Sequence, residues 1–212
     1  MPNPLLHIIT PLNRPNNLFD VAVSIAESGL TQHFALTWWV MLNGPPVRAG
    51  HGMGMAGADV RMVSSPASGL DAEGKPAFGH AQRAHALDLI EGDGWVWVLD
   101  DDNLVHPLFA SRLAELIAAD PSAGAFVFGQ LRADGRTLTP HPLNLSPGYV
   151  DTAQYVIRRD VIGEERIRPV HADDGAFVGR VYAAHPEVFR FIPEILCYWN
   201  HLDVVREAAT TP

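Results

Sequence analysis

Trp95-Val96-Trp97-Val98-Leu99-Asp100-Asp101-Asp102-Asn103 is the stretch that decides the fold of this chain. Its five apolar residues are a suitable length for a strand that is buried on both faces, and three consecutive carboxylates follow. In an open parallel sheet, ligands collect outside the carboxyl ends of the strands, where these acidic residues fall. Adjacent anions repel, and clusters of oxygen ligands suit Mg²⁺ or Mn²⁺. The stretch therefore predicts either a cation site at a strand end or a solvated acidic turn.

The bulk composition narrows the class of protein. The chain has 212 residues, of which 47% are hydrophobic, and this is enough for one well-buried domain. A formal net charge of -9 argues against a general nucleic-acid or anionic-membrane partner. Cys197 is the single cysteine, which excludes an intrachain disulfide and favours the cytoplasm. No leader pattern or integral membrane segment is apparent, because no apolar run approaches about 20 residues.

The order of apolar runs and amphipathic segments predicts an α/β fold. Strands are expected over 5–10, 34–42, 60–63, 95–99, 124–128 and 189–199, and helices over 15–29, 81–90, 107–120 and 173–184. Alternating strands and helices are typical of a parallel sheet with helices packed on it. Residues 151–158 are expected to form an exposed or edge strand, and 132–148 a loop or weak hairpin. Residues 49–58 match no regular element.

A second acidic pair, Asp173-Asp174, stands at the start of the predicted helix over 173–184. One Asp there is explained as a helix cap, because it accepts from the free N–H groups of the first turn. Capping does not require the second. A carboxylate near a helix N-terminus favours its ionised form, as a general base for a hydroxyl must. Arg180 lies six residues after Asp174, too far along the helix to be directly beside it, and a structural ion pair is the simpler role.

The ordered set of motifs resembles glycosyltransferase family 2, whose members have the GT-A fold. The resemblance rests on Ile8-Ile9-Thr10-Pro11-Leu12-Asn13-Arg14, on Leu99-Asp100-Asp101-Asp102-Asn103 as a DXD-type motif, on the segment 150–159, and on Asp173-Asp174 with Arg180. It covers nearly the whole chain, from about residue 6 to 200. It implies a single GT-A domain with a Rossmann-like, mostly parallel central sheet flanked by helices. Residues 1–103 would form the nucleotide-sugar-binding half and 104–212 the acceptor-binding half.

The resemblance implies a role for each matching residue. The nucleoside-diphosphate sugar donor would contact Thr10, Pro11, Arg14, Arg83, Asp100 and Asp101. Asp102 would bind the divalent metal, Mn or Mg, on the donor diphosphate, with Asp100 beside it. His201 stands where some members place a further metal ligand, although a surface histidine is the alternative.

The resemblance also implies the reaction. Asp174 would be the general base that deprotonates the acceptor hydroxyl, with Asp173 as the second choice. One base and no enzyme nucleophile implies an inverting hexosyltransferase mechanism, with direct displacement at the anomeric carbon. The acceptor would be a sugar, a glycan or another hydroxyl compound.

Some residues depart from the family pattern. Asn43-Gly44-Pro45 replaces the acidic residue that often holds the nucleobase, and Ala84 replaces the Asn that usually follows the arginine at position 83. The Gln-x-x-Arg-Trp signature of processive synthases is absent, which favours transfer of a single sugar. Two rivals stay open, a sugar-phosphate nucleotidyltransferase and a non-catalytic GT-A-like nucleotide-binding module. A two-carboxylate glycoside hydrolase leaves the clustered aspartates unexplained.

The remaining candidate residues have simpler explanations. Cys197, Trp38 and Trp39 are expected in the core, whereas Tyr149 or Trp199 can stack on a sugar in the acceptor cleft. Seven histidines show no metal-ligand spacing and are expected mostly on the surface or in loops: His7, His33, His80, His85, His106, His141 and His185.

Overall fold

The computed structural model describes residues 3–43, 54–65, 79–170 and 173–202. Within this part of the chain, one sheet contains nine strands: β1 (Leu5–Leu12), β2 (Ala35–Asn43), β3 (Ala58–Ser65), β4 (Trp95–Val98), β5 (Leu104–Val105), β6 (Ala125–Arg132), β7 (Thr137–Leu138), β8 (Tyr155–Arg158) and β9 (Phe189–Trp199). The strand order is β3-β2-β1-β4-β8-β6-β9-β5, and β7 pairs with β6 at one end. The first four strands in this order are mutually parallel.

The helices pack on this sheet: α1 (Leu18–Glu27), α2 (Leu30–His33), α3 (His80–Leu89), α4 (Phe109–Ala119), α5 (Arg159–Ile162) and α6 (Asp173–Ala184). The predicted helix over 15–29 is divided, because Pro15–Asn17 form a 3-10 turn and α1 begins at Leu18. It ends before Gly29, whose φ of 74° lies in the left-handed region that glycine adopts without strain. Among the described residues, none of these helices has the length and apolar character needed to cross a membrane.

Two apolar layers, one on each face of the sheet, form the core. Ile8 and Trp38 belong to the layer beneath α1 and α4, whereas the adjacent Ile9 and Trp39 belong to the layer beneath α3 and α6. Successive side chains of a strand point to opposite faces, so a strand buried on both faces must be continuously apolar. The predicted α/β fold with a helix-flanked, Rossmann-like sheet is confirmed. The predictions of Trp38, Trp39 and Cys197 as core residues are also confirmed.

The expectation of an exposed or edge strand over 151–158 is wrong. Strand β8 occupies only Tyr155–Arg158, is almost completely buried, and lies in the middle of the sheet, antiparallel to both β4 and β6. Residues 152–154 form a 3-10 turn before it, capped by Asp151. Polar residues flank a very short apolar segment here, and this pattern resembles an edge strand. Long-range pairing makes it a central one.

The carboxyl end of β4 adjoins that of β1, because Leu99 continues the ladder by donating its N–H to the Ile9 carbonyl at 3.0 Å. The chain then turns through Asp100 to Asn103. The Asn103 side chain is fully buried, and its Oδ1 accepts from the Asn200 backbone N–H at 2.8 Å. This contact holds the end of β9 against the turn. The acidic stretch therefore lies where the ends of β1, β4 and β9 converge.

Candidate active site

Asp101 binds the acidic turn to the end of β1. Its side chain is 2% exposed, and Oδ2 accepts from the backbone N–H groups of Asn13 at 2.6 Å and Arg14 at 2.5 Å. Its Oδ1 pairs with Arg14 Nη1 at 2.5 Å. Both oxygens are therefore bound within the protein. Asp100 and Asp101 are both predicted to contact the donor, and of these two Asp101 has a structural role.

Asp102 faces outward from the same turn. Its side chain is 16% exposed, and its Oδ2 lies 3.0 Å from Arg14 Nη2. Arg14, 43% exposed, therefore bridges two neighbouring aspartates with the two ends of its guanidinium. The pairing offsets the repulsion between adjacent carboxylates. Arg14 and Asp102 form the accessible edge of the strand end.

Arg83 joins the acidic turn to the second acidic pair. This arginine of α3 is 3% exposed, and its Nη2 lies 2.6 and 2.7 Å from the two oxygens of Asp100. Its Nη1 lies 3.4 Å from Asp174 Oδ1. Burial alone would lower the pKa of this guanidinium, but the charges of Asp100 and Asp174 outweigh burial and raise its pKa. Two carboxylates separated by 74 positions in sequence therefore share one buried cation.

At the start of α6, the two aspartates have different surroundings. Asp173 is 3% exposed, and its Oδ2 accepts from the Arg168 backbone N–H at 2.6 Å. Arg180 Nη1 lies 3.0 Å from Asp173 Oδ1, and Arg180 also pairs with Glu165. The structural ion pair predicted for Arg180 is thus present. Asp174 is 22% exposed and faces Arg83.

The first turns of α6 approach the backbone at 145–147 so closely that they require glycine. A Cβ on Gly175 would lie 2.2 Å from the Ser146 carbonyl oxygen, and one on Gly179 would lie 2.6 Å from that of Leu145. Real Cβ atoms do not approach so closely. The two glycines, one turn apart on the same helix face, therefore fix how near α6 and Asp174 come to this segment.

His80 is a site residue that the sequence prediction missed. It begins α3, is 2% exposed, and its Nε2 lies 3.5 Å from Asp174 Oδ1. His7 is also buried, and its Nδ1 accepts from Trp39 Nε1 at 3.3 Å. The expectation of surface or loop positions is wrong for both histidines. For His80, the signal in the sequence was its spacing of three residues from Arg83, which places both side chains on one face of a helix.

Asp151 is the second residue that was missed. It is partly buried near Asp100 and Asp174, and it accepts from Gln130 Nε2 at 3.1 Å and from the Ala153 N–H at 3.0 Å. Burial, followed by the negative charges of Asp100 and Asp174, raises its pKa to about 7. The site therefore contains a carboxyl group that takes up a proton near neutral pH. The sequence analysis predicted an exposed or edge strand for residues 151–158, so it did not predict the surroundings of Asp151.

Thr10 and Pro11, which were predicted to contact the nucleotide-sugar donor, are both buried and have structural roles beside the site. Thr10 is fully buried, and its Oγ1 accepts from Trp38 Nε1 at 2.9 Å, so its side chain does not line a nucleotide pocket. Pro11 is also buried. It packs against Gly79, where a Cβ would lie 2.7 Å from the Pro11 Cβ and where φ is +79°. This contact places the start of α3 beside the end of β1.

The predicted metal ligands are not assembled into a complete site. The described residues contain no group of three His, Cys, Asp or Glu side chains able to hold a metal ion. Asp100 and Asp102 are both partly exposed, and each is paired with an arginine, Asp100 with Arg83 and Asp102 with Arg14. The Leu202 N–H donates to the Asp102 carbonyl, so the backbone after β9 lies beside the acidic turn, and His201 Nε2 is buried with no hydrogen-bond partner among the described residues. Mg²⁺ typically takes one or two protein ligands plus phosphate oxygens and water. Asp102 fits such a donor-dependent site.

Comparison with solved structures identifies the fold. The chain resembles the 1–349 portion of S. aureus TarS, with a TM-score of 0.64 and 14% identity over 92% of this chain and 60% of that one. It also resembles a Pyrobaculum calidifontis mannosyltransferase bound to GDP-Man and Mn²⁺, with a TM-score of 0.61 and 15% identity over 93% and 57% of the two chains. No protein-family model and no curated protein matches the sequence. The chain thus has the GT-A-like fold of glycosyltransferases, and it spans at most about 60% of these two relatives.

Proposed function

We propose that this chain transfers one hexosyl residue from a nucleoside-diphosphate sugar to an acceptor hydroxyl, with inversion at the anomeric carbon. The observation that carries the proposal is the buried Arg83, which contacts Asp100 at the end of β4 and Asp174 at the start of α6. This contact brings the acidic turn and a candidate base into one site. A structural role alone would not require Asp174 to be partly exposed there.

In the proposed reaction, Asp174 acts as the general base. The positive end of the α6 dipole and the Arg83 guanidinium favour its carboxylate form, which can accept a proton. The acceptor oxygen attacks the anomeric carbon, the bond to the diphosphate oxygen breaks, and the acceptor proton passes to Asp174. The electron pair leaves with the nucleoside diphosphate. The guanidinium groups of Arg14 and Arg83 are paired with aspartates of the acidic turn. They can offset the negative charge of this turn when the diphosphate of the donor binds there.

A divalent cation at Asp102, with His201 as the second candidate ligand, would supply charge stabilisation for the leaving diphosphate. Asp101 and Asp100 then have supporting roles. Asp101 holds Arg14 and the end of β1 in place, and Asp100 holds Arg83. We assign Asp173 the same kind of role in α6, because Arg180 and the Arg168 N–H occupy its oxygens. Asp174 is therefore the preferred base of the acidic pair.

The structural relatives support this class of donor. One S. aureus TarS structure contains UDP-GlcNAc, with a TM-score of 0.60 and 14% identity, and the archaeal mannosyltransferase structure contains GDP-Man and Mn²⁺. These ligands belong to those proteins. Residues 44 and 45, where the family pattern often has an acidic residue for the base, lie outside the described residues. Uridine and guanosine sugars are therefore both included in the first test.

The proposal can be tested by measuring thermal stability with UDP- and GDP-sugars, with and without Mn²⁺. A ligand that binds only the folded state raises the melting temperature, so the true donor should stand out, and more strongly with the metal. Transfer is then measured with the donor identified. Asp174→Asn should lower kcat by about 10²- to 10⁴-fold while leaving donor binding unchanged. Asp160→Asn, on an exposed aspartate paired with Arg158, is the matched control and should retain full turnover.

Other outcomes would support the rival functions. Full turnover by Asp174→Asn would overturn the assignment of the base. Metal-dependent nucleotide binding without transfer or donor hydrolysis would indicate a binding module. Release of diphosphate from a nucleoside triphosphate and a sugar phosphate would indicate a nucleotidyltransferase.

A further inference from the structure

A cavity of roughly 150 Å³ opens beside Asp174. Its lining includes Gln130 and Arg132 of β6, Leu138 of β7, Asp151, Asp174 and Trp199 of β9. The volume is suited to one sugar-sized group. If Asp174 is the base of the proposed transfer, then the acceptor must place its hydroxyl at this end of the cavity.

Two side chains in this lining have unused hydrogen-bonding atoms. Gln130 is fully buried and donates through Nε2 to Asp151, but its Oε1 has no partner among the described residues. The buried Nε of Arg132 likewise has no hydrogen-bond partner in that part of the chain. The carboxylate of Asp134 lies 3.9 Å from this Nε, which is too far for a hydrogen bond. An unsatisfied buried polar atom destabilises the protein, and a ligand that hydrogen-bonds to it would remove that cost.

Trp199 holds the guanidinium of Arg132 in a defined plane. The Arg132 Cζ lies 3.9 Å from the centroid of the Trp199 ring, and the two residues are directly paired between β6 and β9. Stacking of this kind fixes the guanidinium plane and leaves its N–H edge for partners in that plane. Carboxylates and phosphates match this edge with two parallel hydrogen bonds. A neutral hydroxyl uses only one of them.

We infer that the acceptor carries an oxyanion, a carboxylate or a phosphate, which Arg132 binds while Gln130 Oε1 accepts from an acceptor hydroxyl. The inference rests on the proposed function, because it identifies the occupant of the cavity as the acceptor. Charge also sets the orientation. The carboxylate of Asp174 disfavours an anionic group beside it, whereas the Arg132 guanidinium in the same lining attracts one. The acceptor hydroxyl is thereby directed to Asp174. Arg132 is thus a specificity-determining residue.

The inference is tested by binding, without donor or turnover. Ligand-detected NMR titrations of the full chain would compare methyl uronides, hexose 6-phosphates and neutral methyl hexosides, each in the gluco, galacto and manno series. At least one anionic series should bind about tenfold more tightly than its neutral counterpart. Added NaCl should weaken anion binding and leave neutral binding unchanged. The uronide and phosphate arms distinguish the two kinds of oxyanion.

The variant Arg132→Gln should lose the tenfold preference, and Arg158→Gln, at the opposite end of the sheet, should keep it. Equal affinity of wild type for anionic and neutral ligands, or no anion binding at millimolar concentration, would overturn the inference. So would a preference that persists in Arg132→Gln. The salt dependence of the wild-type protein decides the question if that variant does not fold. Failure of the proposed function is a separate result, because it appears as absent nucleotide-sugar binding or transfer.

Discussion

The site contains two pairs of adjacent aspartates, Asp101-Asp102 in a turn and Asp173-Asp174 in a helix. In each pair, one aspartate has a structural role and the other faces the site. Asp101 and Asp173 are almost fully buried, and each accepts from at least one backbone N–H and from an arginine. Their neighbours Asp102 and Asp174 are 16% and 22% exposed. In both pairs, one carboxylate holds the backbone in place so that the adjacent one is presented to the site.

The pairs differ in the arginine that neutralises the exposed member. Arg14 bridges both aspartates of the first pair and is itself 43% exposed. In the second pair, Arg180 binds Asp173, and Asp174 instead contacts Arg83, which is buried and comes from another helix. An exposed, long side chain can reorganise when a ligand arrives, whereas a buried bridge cannot move without a large cost. The first pair therefore suits a donor-dependent metal site, and the second suits a fixed base.

The largest expected effect is a difference in the free energy of unfolding between Asp→Asn variants at the two positions of each pair. Asp101→Asn and Asp173→Asn should each lower the free energy of unfolding by about 2–4 kcal/mol, because an amide NH₂ replaces an oxygen that accepts from buried donors. Asp102→Asn should change it by less than about 1 kcal/mol. Asp174→Asn should cost less than Asp173→Asn, because Arg83 keeps its shorter contacts with Asp100. Urea unfolding of the four variants checks this order. Equal destabilisation within either pair would contradict the division between scaffold and site.

A smaller effect is expected at the helix that carries the second pair. Gly175→Ala should destabilise the protein by about 1–3 kcal/mol, because its Cβ overlaps the Ser146 carbonyl oxygen. Helix propensity alone predicts the opposite sign, a gain of up to about 1 kcal/mol. Gly54→Ala is the control, since no atom of the described residues lies within 4 Å of its added Cβ. Thermal unfolding of both variants gives the sign, and a stabilised Gly175→Ala would refute the close contact.

A pH-dependent effect concerns Asp151, which belongs to neither pair. Its pKa is raised from 3.8 to about 7 in the folded state, so the folded protein binds more protons between these values. Its contribution to stability is therefore greatest below about pH 4 and is lost as the pH rises to about 7. Asp151→Asn keeps both accepted hydrogen bonds and removes this dependence. The stability of Asp151→Asn relative to wild type, measured by unfolding, should be greater at pH 8 than at pH 5. A pH-independent difference would contradict the shift.

Much of the fold was predictable from local patterns. The apolar runs of β1, β2 and β4 and the amphipathic stripes of α1 and α4 each specify their own element. Strand β8 was predicted in the wrong place, because four residues carry too little periodicity and its central position depends on pairing with β4 and β6. Gly175 and Gly179 appeared only as residues of a helix, although their role is to admit the backbone of 145–147. The assigned site roles stay predictions.

The sequence by itself determined an α/β fold and the positions of two acidic motifs, because strand ends, helix starts and carboxylates are local features. Only the tertiary structure decided which carboxylate of each motif is buried. It also decided that Arg83 joins Asp100 to Asp174, and that Asp151, His80 and Gln130 lie beside them. These contacts join residues far apart in the chain, and burial and charge acquire their effect on a carboxylate only when the folded neighbours are in place.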